Sequence, residues 1–300
     1  QLAEQVFRKS IWRHGILQAK FPRTPLMNAL KAQFGDRTLG SEDLQTGLMI
    51  MTKRLDTGSP WPLMNNPRGR YFNPVEKKGK SIPNKDFLLR EVVRSSTAAP
   101  HYFNPERLKI SSEADGTFLE GAFVDGGVSP HNNPALQMLI MATTEGFGLN
   151  WATGAEQVLL VSVGTGSQEI RMSTKEVMDM SSAKVSLHAL TSLMNDCDAM
   201  NQTILQWMSR SPTAWKIDRE IGDLHGDVVG GKELLSYLRY NVVLDRDWLR
   251  TNLQIDMNAR EVKGLQEMDK PKNMSKLGLL GAAASHIQIH PQHFPGQFDI

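Results

Sequence analysis

The sequence predicts an α/β fold in which crossover helices join the strands of a sheet. Three segments carry that expectation. Thr117 to Asp125 (TFLEGAFVD) reads as extended chain closing on Asp-Gly-Gly. Asn133 to Thr144 (NPALQMLIMATT) reads as a helix, with Asn before its start, Pro in its first turn and apolar residues at helical steps. Val158 to Val163 (VLLVSV) reads as a buried strand that ends in Gly164-Thr165-Gly166. Strand, helix and strand in that order are the pattern of a sheet with crossover helices.

The remaining elements follow along the chain. Gln1 to Phe34 is cationic, with Phe7, Ile11, Trp12 and Leu30 scattered through it, and reads as helix, a Pro-punctuated turn at residues 21–25, then helix. Leu44 to Leu55 has an apolar centre at Leu48–Met51 and reads as a strand. Asp56 to Pro83, with its Gly, Pro and Asn among basic residues, reads as a long surface loop. Asp86 to Ser96 reads as a helix capped by Asp86 and stopped by the prolines of Thr97–Pro105. Thr117 to Asp125 reads as two short strands around Gly121. Thr174 to Arg210 is a long Met-rich helical region, Leu234 to Leu244 a strand pair, and Ala259–Met268 and Ser275–His286 closing helices. No composition shift divides the chain, so one domain over residues 1–300 is expected.

Composition narrows the function classes. The 300 residues carry 34 Lys+Arg against 32 Asp+Glu, a net charge of +2 that gives no basic face for nucleic acid. A single cysteine, Cys197, excludes an intramolecular disulfide framework and a cysteine-based zinc cluster. No run of about 18 apolar residues offers a membrane span. No secretory signal is legible, and the chain begins with Gln rather than Met.

Asp125-Gly126-Gly127 is the most informative tripeptide. Taken alone it is ordinary turn chemistry. At a strand end it also holds a carboxylate beside a backbone free to turn tightly, at the sheet edge where ligands bind. Its surroundings are FVDGGVSPHNNPA (Phe123 to Ala135), with RSSTAAPHYFNP (Arg94 to Pro105) upstream and VLLVSVGTG (Val158 to Gly166) downstream.

With those three ordered segments the sequence resembles the patatin-like phospholipases. LMIMTKRLDTGSPWPLMNNP (Leu48 to Pro67) looks like the bacterial branch of that family. The resemblance is best over residues 1–166; residues 167–300 are expected as a C-terminal helical portion. It implies a three-layer α/β fold, with a mostly parallel sheet flanked by helices. It implies a lipid acyl hydrolase working through a Ser–Asp dyad on carboxylic esters. Asp125 matches the general base, with Gly126 and Gly127 completing the motif. The resemblance implies no metal and no organic cofactor. The substrate would be a lipid at a membrane surface, met by a cytoplasmic protein working at the membrane periphery; a regulatory ligand or partner stays open.

One part of the family pattern is absent. No Gly-x-Ser-x-Gly occurs in the 300 residues, and no Gly-rich oxyanion loop. Gly127-Val128-Ser129-Pro130-His131 and Gly79-Lys80-Ser81-Ile82-Pro83 lack the second glycine and carry a disruptive proline. In the family both elements lie N-terminal to the segments found here. The expectation is a catalytic domain without its N-terminal strands and its nucleophile, inactive as this chain alone. The alternative is a non-catalytic lipid-binding or regulatory pseudoenzyme of the same fold.

Other candidates read as structure. Gly164 to Ser167 lacks the Lys-Ser/Thr of a phosphate loop, which ranks nucleotide binding low. His286, His290 and His293 are interrupted by Pro291 and have no acidic or Cys neighbours, so a solvated tail is expected. Asp196-Cys197-Asp198 reads as helix surface, and His101 and His131 as polar loop residues. The apolar stripe of residues 178–207 (Met178, Met180, Leu187, Leu190, Leu193, Met194, Ile204, Trp207) reads first as core and second as the lining of a lipid groove. Lys77-Lys78-Gly79-Lys80, with Arg68, Arg70, Trp61, Tyr71 and Phe72, reads first as a solvated loop and second as a contact for anionic headgroups.

Overall fold

The computed structural model describes Glu4, Val6, Phe7 and residues 19–74, 80–113, 115–168 and 172–299. Ile11 and Trp12 of the first expected helix, and Lys77, Lys78 and Gly79 of the basic loop, lie outside the described residues. The chain is mixed α/β and includes a parallel sheet, as the sequence predicts. It forms two compact units, Gln1–Trp151 and Ala152–Ile300.

The first unit holds helix α1 (Arg23–Phe34), strands β1 (Met49–Arg54), β2 (Pro60–Met64) and β3 (Lys80–Ser81), helix α2 (Leu89–Ser96), strands β4 (Glu106–Ser112) and β5 (Phe118–Asp125), and helix α3 (Ala135–Thr143). Its sheet runs β2-β1-β5-β4-β3, and every described pair is antiparallel. Tight connections produce that: a short turn with Gly58 at φ +71° joins β1 to β2, and one with Gly116 at φ +83° joins β4 to β5. Leu39, Leu63, Phe87, Leu89, Val92, Leu108, Ile110 and Phe123 form the core.

Three expectations in this unit are corrected. Residues 56–83 are not simply a loop, because Pro60–Met64 pairs with β1. That strand sits at the sheet edge, where a proline without an N–H costs no ladder bond. Asp86 does not cap α2; it ends a 3₁₀ turn (Asn84–Asp86), and Phe87 and Leu88 then run extended before the helix starts. The extended step drops Phe87 into the core, 5% exposed. Gly121 is not a turn between two strands, because β5 is continuous and pairs Gly121 with Leu108. A Cβ there would stand 2.7 Å from the Phe123 ring, so the glycine makes room for packing.

The second unit holds β6 (Leu159–Val163), α4 (Thr174–Met178), α5 (Ser182–Trp207), β7 (Ser209–Arg210), β8 (Leu235–Tyr240), α6 (Arg246–Leu253), α7 (Ala259–Leu265) and α8 (Met274–Gln288). Its sheet runs β6-β8-β7 with parallel pairing, and α5 lies on the crossover from β6 to β7. Leu249, Met257, Val262, Leu265 and Leu280 lead the helical core.

Here too expectations change. Residues 234–244 contain one strand, β8, not a pair. Central strand β8 is the buried one; β6 is an edge strand, with Val163 73% exposed. The apolar stripe of α5 is not core: Leu187, Leu193 and Trp207 are exposed, and the helix buries Asn201, Gln202, Leu205 and Gln206 instead. Gln206 earns that place by hydrogen bonding: its amide donates to the carbonyls of Trp215 and Asp223, at 2.9 and 2.8 Å. No helix among the described residues is long and apolar enough to cross a membrane.

Candidate active site

Asp125 is the last residue of β5, opposite Thr52 of β1. Its backbone N–H donates to the Ala98 carbonyl at 3.1 Å. That bond joins the two segments singled out in the first half of the sequence, Arg94–Pro105 and Phe123–Ala135. A second tie comes from Ser96, whose Oγ donates to the Met51 carbonyl at 2.7 Å.

The two glycines have separate reasons. A Cβ on Gly126 would fall 2.3 Å from the Met51 carbonyl oxygen, so only glycine lets this turn press against β1. At Gly127 a Cβ would meet Asn132 Oδ1 at 2.9 Å and Asp125 Oδ1 at 3.1 Å. The Gly127 N–H donates to Asp125 Oδ1 at 2.7 Å, which makes Asp125 the cap of the short 3₁₀ turn Gly126–Val128. Ser129 locks the turn from below, its Oγ donating to the Gly126 carbonyl at 2.6 Å. One carboxylate oxygen is thus fixed, and Oδ2 has no hydrogen-bond partner among the described residues.

Burial pushes the Asp125 carboxyl above its ordinary value, and the Gly127 N–H opposes this in part. Nearby in sequence, the His131 imidazole is held below its usual value by burial and by the Lys53 cation. Its N–H on the backbone donates to Ser129 Oγ at 3.2 Å.

Helix α2 and strand β4 share a buried ion pair. Arg94, 1% exposed, stands 3.6 Å from Glu106 Oε2, and Glu106 is 4% exposed. Arg23 reaches the other oxygen, its Nε donating to Oε1 at 2.6 Å. The Arg94 guanidinium also lies 4.9 Å above the Phe103 ring. Desolvation lowers the Arg94 pKa from its usual value, and the Glu106 charge opposes the shift. Glu106 and Met51 are the members of this region that sequence reasoning passes over. A buried glutamate on an alternating strand and a strand carbonyl carry no signal of their own.

The other candidates are built differently. The turn after β6 is spent on structure: Gly164 N–H donates to the Tyr240 carbonyl at 2.8 Å, Gly166 N–H to Asn241 Oδ1 at 3.0 Å, and Ser167 N–H to the Val242 carbonyl at 2.8 Å. Donors so engaged do not cradle a phosphate. His286 and His290 are exposed, whereas His293 is half-buried and shares a 2.8 Å hydrogen bond with the Tyr240 hydroxyl. That histidine is anchored rather than part of a solvated tail. Asp198 stands 3.7 Å from the buried Arg239, so this residue is more than helix surface. His101 is exposed on a loop at φ +74°.

Comparison with known proteins finds a likeness confined to this region. The family model for patatin-like phospholipases matches residues 3–139. The segment is similar to that family. Curated relatives include patatin group M-1 of Solanum tuberosum, 34% identical over 90 residues, which is 28% of this chain and 23% of that protein. Patatin-15 of the same plant is 33% identical over a stretch of the same length and coverage. The matched stretch therefore spans 23% of the length of these relatives. The patatin-like segment contains Arg94–Pro105 and the Asp125 turn, and it ends inside α3.

Proposed function

We propose that this chain carries the base-bearing part of a lipid acyl hydrolase that cleaves carboxylic esters through a Ser–Asp dyad. The observation that supports it is the Asp125 turn inside the patatin-like segment: one carboxylate oxygen is pinned by Gly127, the other has no hydrogen-bond partner among the described residues, and burial raises the basicity of the group. In this reading the nucleophilic serine belongs to a segment that is not among these 300 residues, since none of them forms a Gly-x-Ser-x-Gly elbow.

The chemistry then runs in two halves. Asp125 accepts the proton of the serine hydroxyl as its oxygen bonds to the ester carbonyl carbon. The carbonyl electron pair moves onto oxygen, giving a tetrahedral oxyanion. Its collapse breaks the bond to the alcohol, which leaves with the proton from Asp125. Water repeats the sequence on the acyl-serine, giving a fatty carboxylate and restoring the serine. A carboxylate held above its ordinary pKa suits both proton transfers better than a free one.

The second reading is a lipid-binding pseudoenzyme, favoured by the same absence of the serine elbow from these residues. Ester hydrolysis by the natural polypeptide that contains residues 1–300 separates the two. Under the hydrolase reading Asp125→Ala lowers kcat by about 100- to 10,000-fold, the span of general acid–base catalysis. Hydrolysis unaffected by Asp125→Ala contradicts the assignment of the base. No hydrolysis by the natural polypeptide, with lipid still bound, favours the pseudoenzyme.

A further inference from the structure

The second unit contains a cleft that the proposed chemistry does not use. Its volume is about 590 Å³, inside the range of about 300–1,000 Å³ typical of small-molecule sites. One wall is apolar, made by Met172, Met180, Leu187, Leu244 and Val262. Leu244 and Val262 belong to the packed core of the unit, whereas Leu187 stands 57% exposed. On α5, Lys184, Leu187, His188 and Thr191 recur at helical steps of three and four, so one helix face supplies both an apolar and a cationic contact.

The rim has a sign. Among the described charged lining residues Lys184, Arg246 and Lys263 stand against one carboxylate, Asp245. That carboxylate is already committed, accepting the N–H groups of Asp247 and Trp248 at the start of α6, at 3.0 and 3.1 Å. The Glu176 charge acts on Lys263, but Glu176 is itself held in a capping box with Ser173. Arg246 lies 3.8 Å from Asp256, a pair exposed to solvent and weakly held. Among the described residues no acidic group forms an ion pair with Lys184. An apolar wall under a cationic rim matches a molecule with an aliphatic chain and an anionic head.

We propose that this cleft binds a single-chain anionic amphiphile, a fatty carboxylate or an alkyl phosphate. The chain lies along Leu187, Met180 and Met172, and the head meets Lys184 and Lys263. The site shares no residue with the Asp125 turn, so the proposal stands whether or not Asp125 acts as a base.

Isothermal titration of the 300-residue chain tests it, with dodecanoate, dodecyl phosphate, dodecanol and dodecyltrimethylammonium, each below its micellar concentration. One anion or both should saturate a single site, the tighter one identifying the head. Shortening the chain should weaken binding by up to about fourfold per methylene. Dodecanol and the ammonium should bind at least about fivefold more weakly than the better anion. Leu187→Asp should abolish saturation, and Lys184→Glu with Lys263→Glu should shift preference towards the ammonium. All three side chains are exposed, so thermal melts should match the parent protein. The proposal is overturned if no amphiphile saturates, if dodecanol binds as tightly as the better anion, or if the charge-reversed variant keeps its preference for anions.

Discussion

At Asp125 the proposed role as base and the stability of the fold pull in opposite directions. Burial disfavours the charged carboxylate, so its folded-state pKa lies above the unfolded one. Such a group favours the folded state below the unfolded pKa, and that contribution is lost as pH rises through the folded value. Asp125→Asn keeps an oxygen for the Gly127 N–H and removes the buried charge. Its melting temperature should exceed the parent's at pH 7, and the gap should close below about pH 4, near the ordinary carboxylate range. A variant melting lower than the parent at pH 7 contradicts this. Under the hydrolase reading the same shift places the acid limb of kcat/KM above the ordinary carboxylate range, which a pH–rate profile reads. Gly126→Ala is a different kind of test, since its Cβ would collide with a strand carbonyl. It should cost about 1–3 kcal/mol or more in urea denaturation. The importance of this turn was legible in Asp-Gly-Gly and its neighbours. The Met51 carbonyl that makes Gly126 obligatory was not, because a main-chain contact across 75 residues leaves no mark on sequence pattern.

At the scale of elements, the patatin-like segment depends on how β4 meets α2. Glu106 of β4 neutralises Arg94 of α2 in the interior and also bonds Arg23 of α1. Glu106→Ala strands a buried guanidinium, two of whose nitrogens, Nε and Nη1, already lack hydrogen-bond partners among the described residues. It should cost about 3–5 kcal/mol, whereas Arg23→Ala, at a side chain 57% exposed, should cost about 1 kcal/mol or less. Equal losses in chemical denaturation would sink this ranking. Elements with strong local signals were read well: α3 begins beside its Asn-Pro pair, and α7 carries the capping box of Asn258 and Glu261. The misreadings share a cause. Pro60 and Pro62 argue against a strand only if the strand is central, and an edge position is a property of the sheet. The α5 stripe has the same period whether a helix faces core or solvent. Its buried polar residues Gln202 and Gln206 were passed over because their partners include distant loops and Tyr237.

On the scale of the whole chain, the two units hold two different kinds of chemistry. The first presents a carboxylate on a rigid turn, and the second a cationic cleft with an apolar wall. The fold class was legible because strand and helix patterns alternate; the antiparallel order of the first sheet was not, since hairpin turns compete with crossovers at similar loop lengths. The family likeness was legible through three short segments, two of which the structure joins by the Ala98–Asp125 hydrogen bond. The central claim is that Asp125 activates a serine outside these 300 residues. Labelling with a fluorophosphonate tests it most directly, followed by mapping of the modified residue by mass spectrometry. The natural polypeptide containing residues 1–300 should be labelled at a serine beyond them, with the labelling rate lowered at least about 100-fold by Asp125→Asn. Labelling at a serine within residues 1–300, or labelling at the parent rate in Asp125→Asn, would contradict it.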